Sequence, residues 1–122
     1  MTKALIIDDE EDVRFVVQMS LGRLGHMHVV EASSGEEGVA LAKSEQPTFI
    51  LLDMMMPGMD GLATFKALRM APETAAIPIV FLTAKAMASE VRRLEGLGAK
   101  GVLLKPFDPL TLAKEIEAIL AS

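Results

Sequence analysis

Residues 49–53 read Phe-Ile-Leu-Leu-Asp, an unbroken apolar run that ends in a carboxylate. Short runs without polar residues at alternate positions are typical of strands buried on both faces of a parallel sheet. A carboxylate at the end of such a strand loses hydration unless a cation or hydrogen-bond donors compensate. The run therefore predicts a buried strand and indicates Asp53 as a candidate functional residue.

Short apolar runs alternate with longer amphipathic stretches on both sides of this segment. The predicted strands are residues 4–7, 27–30, 49–52, 77–82 and 102–104. The predicted helices are residues 11–24, 35–43, 62–70, 86–97 and 109–121. Because strands alternate with helices, we expect an α/β fold in which right-handed crossovers place helices on both faces of a parallel sheet.

Capping patterns support two of the predicted helix starts. Ser33 and Ser34 each precede a glutamate by three residues, as in a capping box at the second helix. Asp108 is predicted to cap the fifth helix, with Pro109 in its first turn.

Length and charge limit the possible functions. The 122 residues contain no cysteine and carry a net charge of −5. We expect one domain over residues 1–122, located in the cytoplasm, without an export signal or a membrane span. Because the basic residues are scattered along the chain, direct binding to nucleic acid is not expected.

Chemically active side chains follow four of the five predicted strands. Asp8 and Asp9 follow the first strand, Asp53 the third, Thr83 the fourth and Lys105 the fifth. Singly, each has an ordinary interpretation, since aspartate can cap a helix, threonine can close a turn and lysine can lie in solvent. Because the carboxyl ends of parallel strands meet at one edge, we expect all five side chains to lie close together.

This set of side chains suits phosphoryl transfer. Three neighbouring carboxylates repel one another, and a hard cation such as Mg²⁺, or Mn²⁺ in its place, relieves that repulsion. An ammonium and a hydroxyl can stabilise the charge that develops on phosphoryl oxygens. Carboxylates can accept phosphate covalently, so Asp53 is the candidate acceptor.

Four motifs together resemble the receiver domains of bacterial two-component response regulators. They are Asp8-Asp9, the run Asp-Met-Met-Met-Pro-Gly-Met-Asp-Gly at residues 53–61, Thr83-Ala84 and Lys105-Pro106-Phe107. The resemblance implies a doubly wound, flavodoxin-like (βα)5 fold with strand order 2-1-3-4-5. It also implies a signalling switch, not a turnover enzyme, that receives a phosphoryl group on Asp53 from a histidine kinase or phosphotransfer protein.

The same resemblance assigns roles to individual residues. Mg²⁺ would be bound by Asp8, Asp9, Asp53 and the backbone carbonyl of Met55. Thr83 and Lys105 would contact the phosphoryl oxygens, and the bond between Lys105 and Pro106 would be cis.

Three further positions concern the signal and its duration. Receivers often carry an aromatic residue three positions before the lysine, whereas this chain has Val102 there. By the resemblance, the signal passes from phosphorylated Asp53 through Thr83 to the surface of the fourth helix, fifth strand and fifth helix, which regulates a downstream protein or output domain. Without the aromatic residue, the path of this signal is open. In receivers the residues two after the phosphoacceptor and two after the switch threonine flank the path of an attacking water. By this resemblance Met55 and Lys85 are expected to set the lifetime of the phosphate.

Two rival interpretations belong to other classes. A Mg²⁺-dependent phosphohydrolase would use Asp53 or Asp8 as a nucleophile, but short connections leave little chain for a substrate pocket. A receiver-like interaction module would not be phosphorylated, but such modules usually lack one of the site residues. Turnover of a small phosphate, stoichiometric labelling or no labelling distinguishes the three.

Overall fold

The computed structural model describes residues 2–85 and 87–122, and its centre is a five-stranded parallel sheet. The strands are β1 (Lys3–Ile7), β2 (His28–Ala32), β3 (Phe49–Asp53), β4 (Ile79–Thr83) and β5 (Gly101–Leu104). Their order across the sheet is β2-β1-β3-β4-β5, and every neighbouring pair is parallel. The predicted α/β class and strand order are confirmed.

In the part of the chain that the structure describes, five α-helices connect and follow the strands. They are α1 (Glu11–Val17), α2 (Gly35–Glu45), α3 (Gly61–Met70), α4 (Ala88–Gly96) and α5 (Leu112–Ala121). Ala86, where the fourth helix was predicted to start, lies outside the described residues.

Two apolar clusters cover the two faces of the sheet. All residues of β3 and β4 are buried, and neighbouring residues of a strand point to opposite faces. Leu5, Ile50 and Phe81 therefore share one cluster with residues of α2, α3 and α4, whereas Ile6 and Leu51 share the other with residues of α1 and α5. Burial on both faces explains why these strands read as unbroken apolar runs.

The first helix changes its geometry half way along. After α1, residues Gln18–Leu24 continue as a π-helix, and the amide of Gly25 donates to the carbonyl of Ser20, five residues earlier. The buried Ser20 hydroxyl donates to the carbonyl of Pro109 at 2.6 Å, which joins this segment to the loop after β5. The sequence predicted one helix over residues 11–24, and periodicity alone gave no sign of the π segment.

The cap predictions have different outcomes. At α2 the hydroxyl of Ser34 accepts from the amide of Glu37 at 3.2 Å, while the Glu37 carboxylate accepts from the amide of Ser33 at 2.6 Å. The capping box is therefore confirmed, with the glutamate reaching one residue further back than in the usual arrangement.

The predicted cap of the fifth helix is wrong. The helix begins at Leu112 with Thr111 at the N-cap. Asp108 instead closes the preceding turn, where its side chain accepts from the amide of Leu110 at 2.9 Å. The Asp108 side chain stabilises this turn, which contains Pro109, and the helix starts only after it.

Two strand boundaries differ from the prediction by two residues, and the others by one residue or none. β2 runs two residues past its predicted end, because Glu31 and Ala32 pair with Ile6 and Ile7 of β1. β4 begins at Ile79, two residues later than predicted, after Pro78, which has no amide hydrogen to donate to a sheet. Among the described residues, no helix is long and apolar enough to cross a membrane.

Candidate functional site

The ends of three strands bring two carboxylates and one ammonium together. Asp8 directly follows β1, Asp53 ends β3 and Lys105 directly follows β5. The Nζ atom of Lys105 lies 2.8 Å from Oδ2 of Asp8 and 3.1 Å from Oδ1 of Asp53. Parallel pairing places these ends at one edge of the sheet, as the sequence predicts.

Both aspartates at this edge are buried. The exposed fraction is 0% for Asp8 and 3% for Asp53. Among the described residues, Oδ2 of Asp53 has no hydrogen-bond partner, whereas Oδ2 of Asp8 has the Lys105 ammonium at 2.8 Å. Buried carboxylate oxygens without partners are costly, so the site is suited to a further positive group.

The pKa values of Asp53 and Lys105 reflect this environment. Burial, followed by repulsion from Asp8, raises the pKa of Asp53 from 3.8 to about 6, although Lys105 and the amide of Met55 act in the opposite direction. Burial acts to lower the pKa of Lys105, but the hydrogen bonds and charges of Asp8 and Asp53 outweigh it and hold this pKa above its usual value. The lysine therefore stays charged, and the aspartates have more negative charge than it neutralises.

A third carboxylate near this pair belongs to Glu10, which the sequence interpretation missed. Carboxylate oxygens of Asp8, Glu10 and Asp53 lie within 4.8 Å of one another, and Oε1 of Glu10 lies 3.4 Å from Nζ of Lys105. Asp9 is exposed and is not part of this cluster. The signal that could have found Glu10 is the run of five acidic residues, 8–12, after β1.

Backbone contacts fix the loop after β1. The amide of Asp8 donates to the carbonyl of Ala32 at 3.0 Å, and Oδ1 of Asp8 accepts from the amide of Glu10 at 2.9 Å. Arg14 donates to the carbonyl of Asp8 at 2.8 Å and pairs with Glu31 at 3.2 Å. Arg14 is thus a positioning residue, and sequence reasoning did not identify it.

The loop after β3 is shaped by a close backbone approach at Gly61. A Cβ atom on Gly61 would lie 2.4 Å from the carbonyl oxygen of Asp53, so only glycine fits there without a shift. The amide of Met55 donates to Oδ1 of Asp53 at 3.3 Å, and the side chain of Met55 is 80% exposed. The loop therefore holds Asp53 by its backbone and presents the Met55 side chain to solvent.

The predicted switch residues lie on the neighbouring strands. Thr83 is buried, and its hydroxyl donates to the carbonyl of Lys85 at 3.0 Å and accepts from the amide of Lys85 at 3.2 Å. Val102 is half-buried and pairs with Phe81 across β4 and β5. The Thr83 hydroxyl is thus bonded to its own loop in this structure.

A cavity opens beside Lys105. Its volume is about 360 Å³, and it is lined by Glu10, Asp12, Val13, Val16, Ala84, Lys105, Pro106 and Phe107. The bond between Lys105 and Pro106 is cis, as predicted. Apolar walls and an acidic rim therefore meet next to the candidate phosphoacceptor.

The donors at the site fit a divalent cation of the Mg²⁺ type. Asp8 and Asp53 offer buried carboxylate oxygens, of which Oδ2 of Asp53 lacks a partner among the described residues, and Mg²⁺ prefers oxygen ligands and takes one or two carboxylates.

Comparison with known proteins identifies the family. A sequence model of the response regulator receiver domain matches residues 4–117, so this chain belongs to that family. Protein PilH of Pseudomonas aeruginosa is 37% identical over 121 residues, which cover 99% of each chain. The solved structure of the chemotaxis protein CheY4 of Vibrio cholerae is similar with a TM-score of 0.89 and 34% identity over 98% of each chain.

Other relatives are longer than this chain. The alkaline phosphatase synthesis transcriptional regulatory protein PhoP of Bacillus subtilis is 40% identical over 120 residues, which are 97% of this chain but 48% of PhoP. The chain thus spans nearly all of PilH and about half of several transcriptional regulators. Family membership implies a kinase partner and a downstream target, as the sequence predicts.

Proposed function

We propose that this chain is a phosphorylation-dependent signalling switch that receives one phosphoryl group on Asp53 from a histidine kinase or phosphotransfer protein. The observation that carries the proposal is the buried Asp53 carboxylate, which has one oxygen without a partner and the other 3.1 Å from the Lys105 ammonium. A nucleophile and an ammonium are therefore in place at this edge of the sheet, beside the exposed Glu10.

In the transfer step an oxygen of Asp53 forms a bond to phosphorus. The bond between phosphorus and the donor's nitrogen or oxygen breaks, and the donor leaves with the electron pair. Lys105 stabilises charge on the phosphoryl oxygens, and Thr83 donates to them once its hydroxyl leaves the Lys85 carbonyl. Mg²⁺, held by Asp8 and Asp53 and, by family resemblance, by Asp9 and the Met55 carbonyl, would supply further positive charge to those oxygens.

A protein donor suits the surroundings of the site. The cavity beside Lys105 has apolar walls at Val13, Val16 and Phe107 and carboxylates at Asp12 and Glu10. An apolar side chain next to a basic one on the donor would be complementary to these walls and this rim. Donor and receiver would then align the phosphoryl group by contacts outside the reacting atoms.

Incubation with Mg²⁺ and a small acyl phosphate is expected to add one phosphoryl group to the chain, and Asp53→Asn is expected to remove the labelling. Intact-mass spectrometry measures both, with Asp108→Asn as a control that removes an exposed carboxylate in the loop before α5. Full labelling of Asp53→Asn would contradict the proposal. Many turnovers per chain would instead indicate a phosphohydrolase, and an unlabelled parent chain would indicate a module that is not phosphorylated.

Signal transmission is expected to be weak at β5, because Val102 provides no ring to follow a movement of Thr83. Phosphorylation should therefore shift the amide resonances of Thr83, Lys85 and Met87 more than that of Val102 in NMR spectra. The variant Val102→Tyr should increase the shifts along β5. A shift map of the parent dominated by β5 would show that valine transmits the signal as well as an aromatic residue does.

A further inference from the structure

Glu10 lies at the mouth of the site, and its side chain does not stabilise the start of α1. Its side chain is 61% exposed, and Oε1 lies 3.4 Å from Nζ of Lys105. Glu10 is the N-cap residue of α1, but its side chain makes no capping hydrogen bond. The helix start therefore does not depend on the carboxylate.

Without a metal ion, the charges at the mouth do not balance. Asp8, Asp53 and Glu10 present three carboxylates to the single ammonium of Lys105. Asp8 and Asp53 are buried and contact Lys105 at short distances, whereas Glu10 is the exposed member that an approaching molecule meets. A phosphodonor that approaches over Glu10 brings its own negative phosphoryl group close to this carboxylate.

We propose that Glu10 is a specificity-determining residue that selects the phosphodonor by its charge. The proposal rests on Asp53 being the phosphoacceptor. The Glu10 carboxylate repels a donor in proportion to the donor's negative charge, so doubly charged small acyl phosphates are slowed more than singly charged donors. A donor protein with a basic residue beside its phosphoryl group escapes this penalty.

Two small donors differ in charge and deliver the same group. Acetyl phosphate is a dianion at neutral pH, and its transfer to Asp53 forms a bond between carboxylate oxygen and phosphorus and releases acetate. Phosphoramidate carries one net negative charge, and its transfer breaks the bond between phosphorus and nitrogen and releases ammonia. Neither step needs an oxidant or a reductant.

The test compares the parent with Glu10→Gln and with the matched control Glu117→Gln, which removes the same charge from the exposed face of α5. Rate constants for labelling with each donor are measured by intact mass at low and high salt. Each variant is first titrated with Mg²⁺ by thermal denaturation, so that all rates are measured at saturating metal. This step separates an effect on the donor from an effect on metal affinity.

Glu10→Gln is expected to raise the rate with acetyl phosphate roughly fivefold and with phosphoramidate about twofold, since the logarithm of the effect scales with donor charge. At ~1 M salt, where the screening length is about 3 Å, both gains should largely disappear. Glu117→Gln should behave as the parent does. The readout is the ratio of the labelling rate constants for the two donors, because a purely structural role for Glu10 would leave this ratio unchanged.

Equal acceleration with both donors that persists in high salt would overturn the proposal, because it would mean that Glu10 merely restrains Lys105. Unchanged rates in Glu10→Gln would overturn it as well. Failure of the proposed function has a different result, since the parent itself would then remain unlabelled with either donor.

Discussion

Asp53→Asn is expected to make the metal-free protein more stable at about pH 7.5 by on the order of 3 kcal/mol. Burial and repulsion from Asp8 raise the pKa of Asp53 from 3.8 to about 6, so the folded protein holds its proton more tightly than the unfolded chain does. Ionised Asp53 therefore lowers the free energy of unfolding. Asparagine keeps the shape of the side chain and removes this cost.

The pH dependence fixes the sign of the effect. Below 3.8 the carboxyl is protonated in both states, so its charge costs nothing. Between 3.8 and about 6 the unfolded chain has lost a proton that the folded protein keeps, and the cost grows until it is complete above about 6. The difference in stability between Asp53→Asn and the parent should therefore rise with pH across this window and then level off.

Chemical denaturation at several pH values measures this difference. Asp108→Asn, which removes an exposed carboxylate, should differ little from the parent in free energy of unfolding at each pH. Mg²⁺ should stabilise the parent more than Asp53→Asn, because a cation bound only by the folded protein relieves the same repulsion. A parent as stable as Asp53→Asn at every pH would mean that Lys105 already compensates both buried aspartates.

The centre of the sheet was predictable because β1, β3 and β4 obey one strong rule. Burial on both faces requires continuous apolar runs, and Phe49 to Leu52 have that pattern without ambiguity. The predicted strand boundaries were wrong where a specific contact outweighs the local composition. Glu31 reads as the end of a strand, yet it remains in β2 because its backbone pairs with β1 and its carboxylate meets Arg14.

The candidate site was predictable where strand ends alone determine position. Asp8, Asp53 and Lys105 converge because parallel strands end at one edge. Glu10 was not predictable in this way, since its place in the cluster depends on how the chain turns into α1 and on the reach of its side chain. The roles of Asp9 and the Met55 carbonyl as metal ligands stay predictions.

The lifetime of the phosphorylated state is expected to be long, because neither residue beside the attack path can orient a water molecule. Hydrolysis needs a water held in line with phosphorus, and a group that accepts its hydrogen bond holds it best. The Met55 thioether is a weak acceptor and the Lys85 ammonium accepts none. Lys85 can still donate to a phosphoryl oxygen and so stabilise the phosphorylated form.

The surroundings of Met55 and Lys85 bear on the expected lifetime. The side chain of Met55 is 80% exposed, so it does not cover Asp53 in the unphosphorylated protein. In the unphosphorylated protein the Thr83 hydroxyl holds the backbone of Lys85 in the loop after β4. Slow hydrolysis is therefore expected chiefly from the lack of an acceptor for water, with apolar shielding by Met55 as a smaller contribution.

The double variant Met55→Asn and Lys85→Glu should lose its phosphate at least about tenfold faster than the parent, which corresponds to a barrier lower by ~1.4 kcal/mol. Decay of the purified phosphoprotein, followed by intact mass, measures the rate constant. Met55→Leu is the matched control, because leucine keeps the apolar bulk and adds no acceptor. If the parent decays as fast as the double variant, water reaches phosphorus without help from either side chain, and the lifetime is set by Mg²⁺ and Lys105 instead.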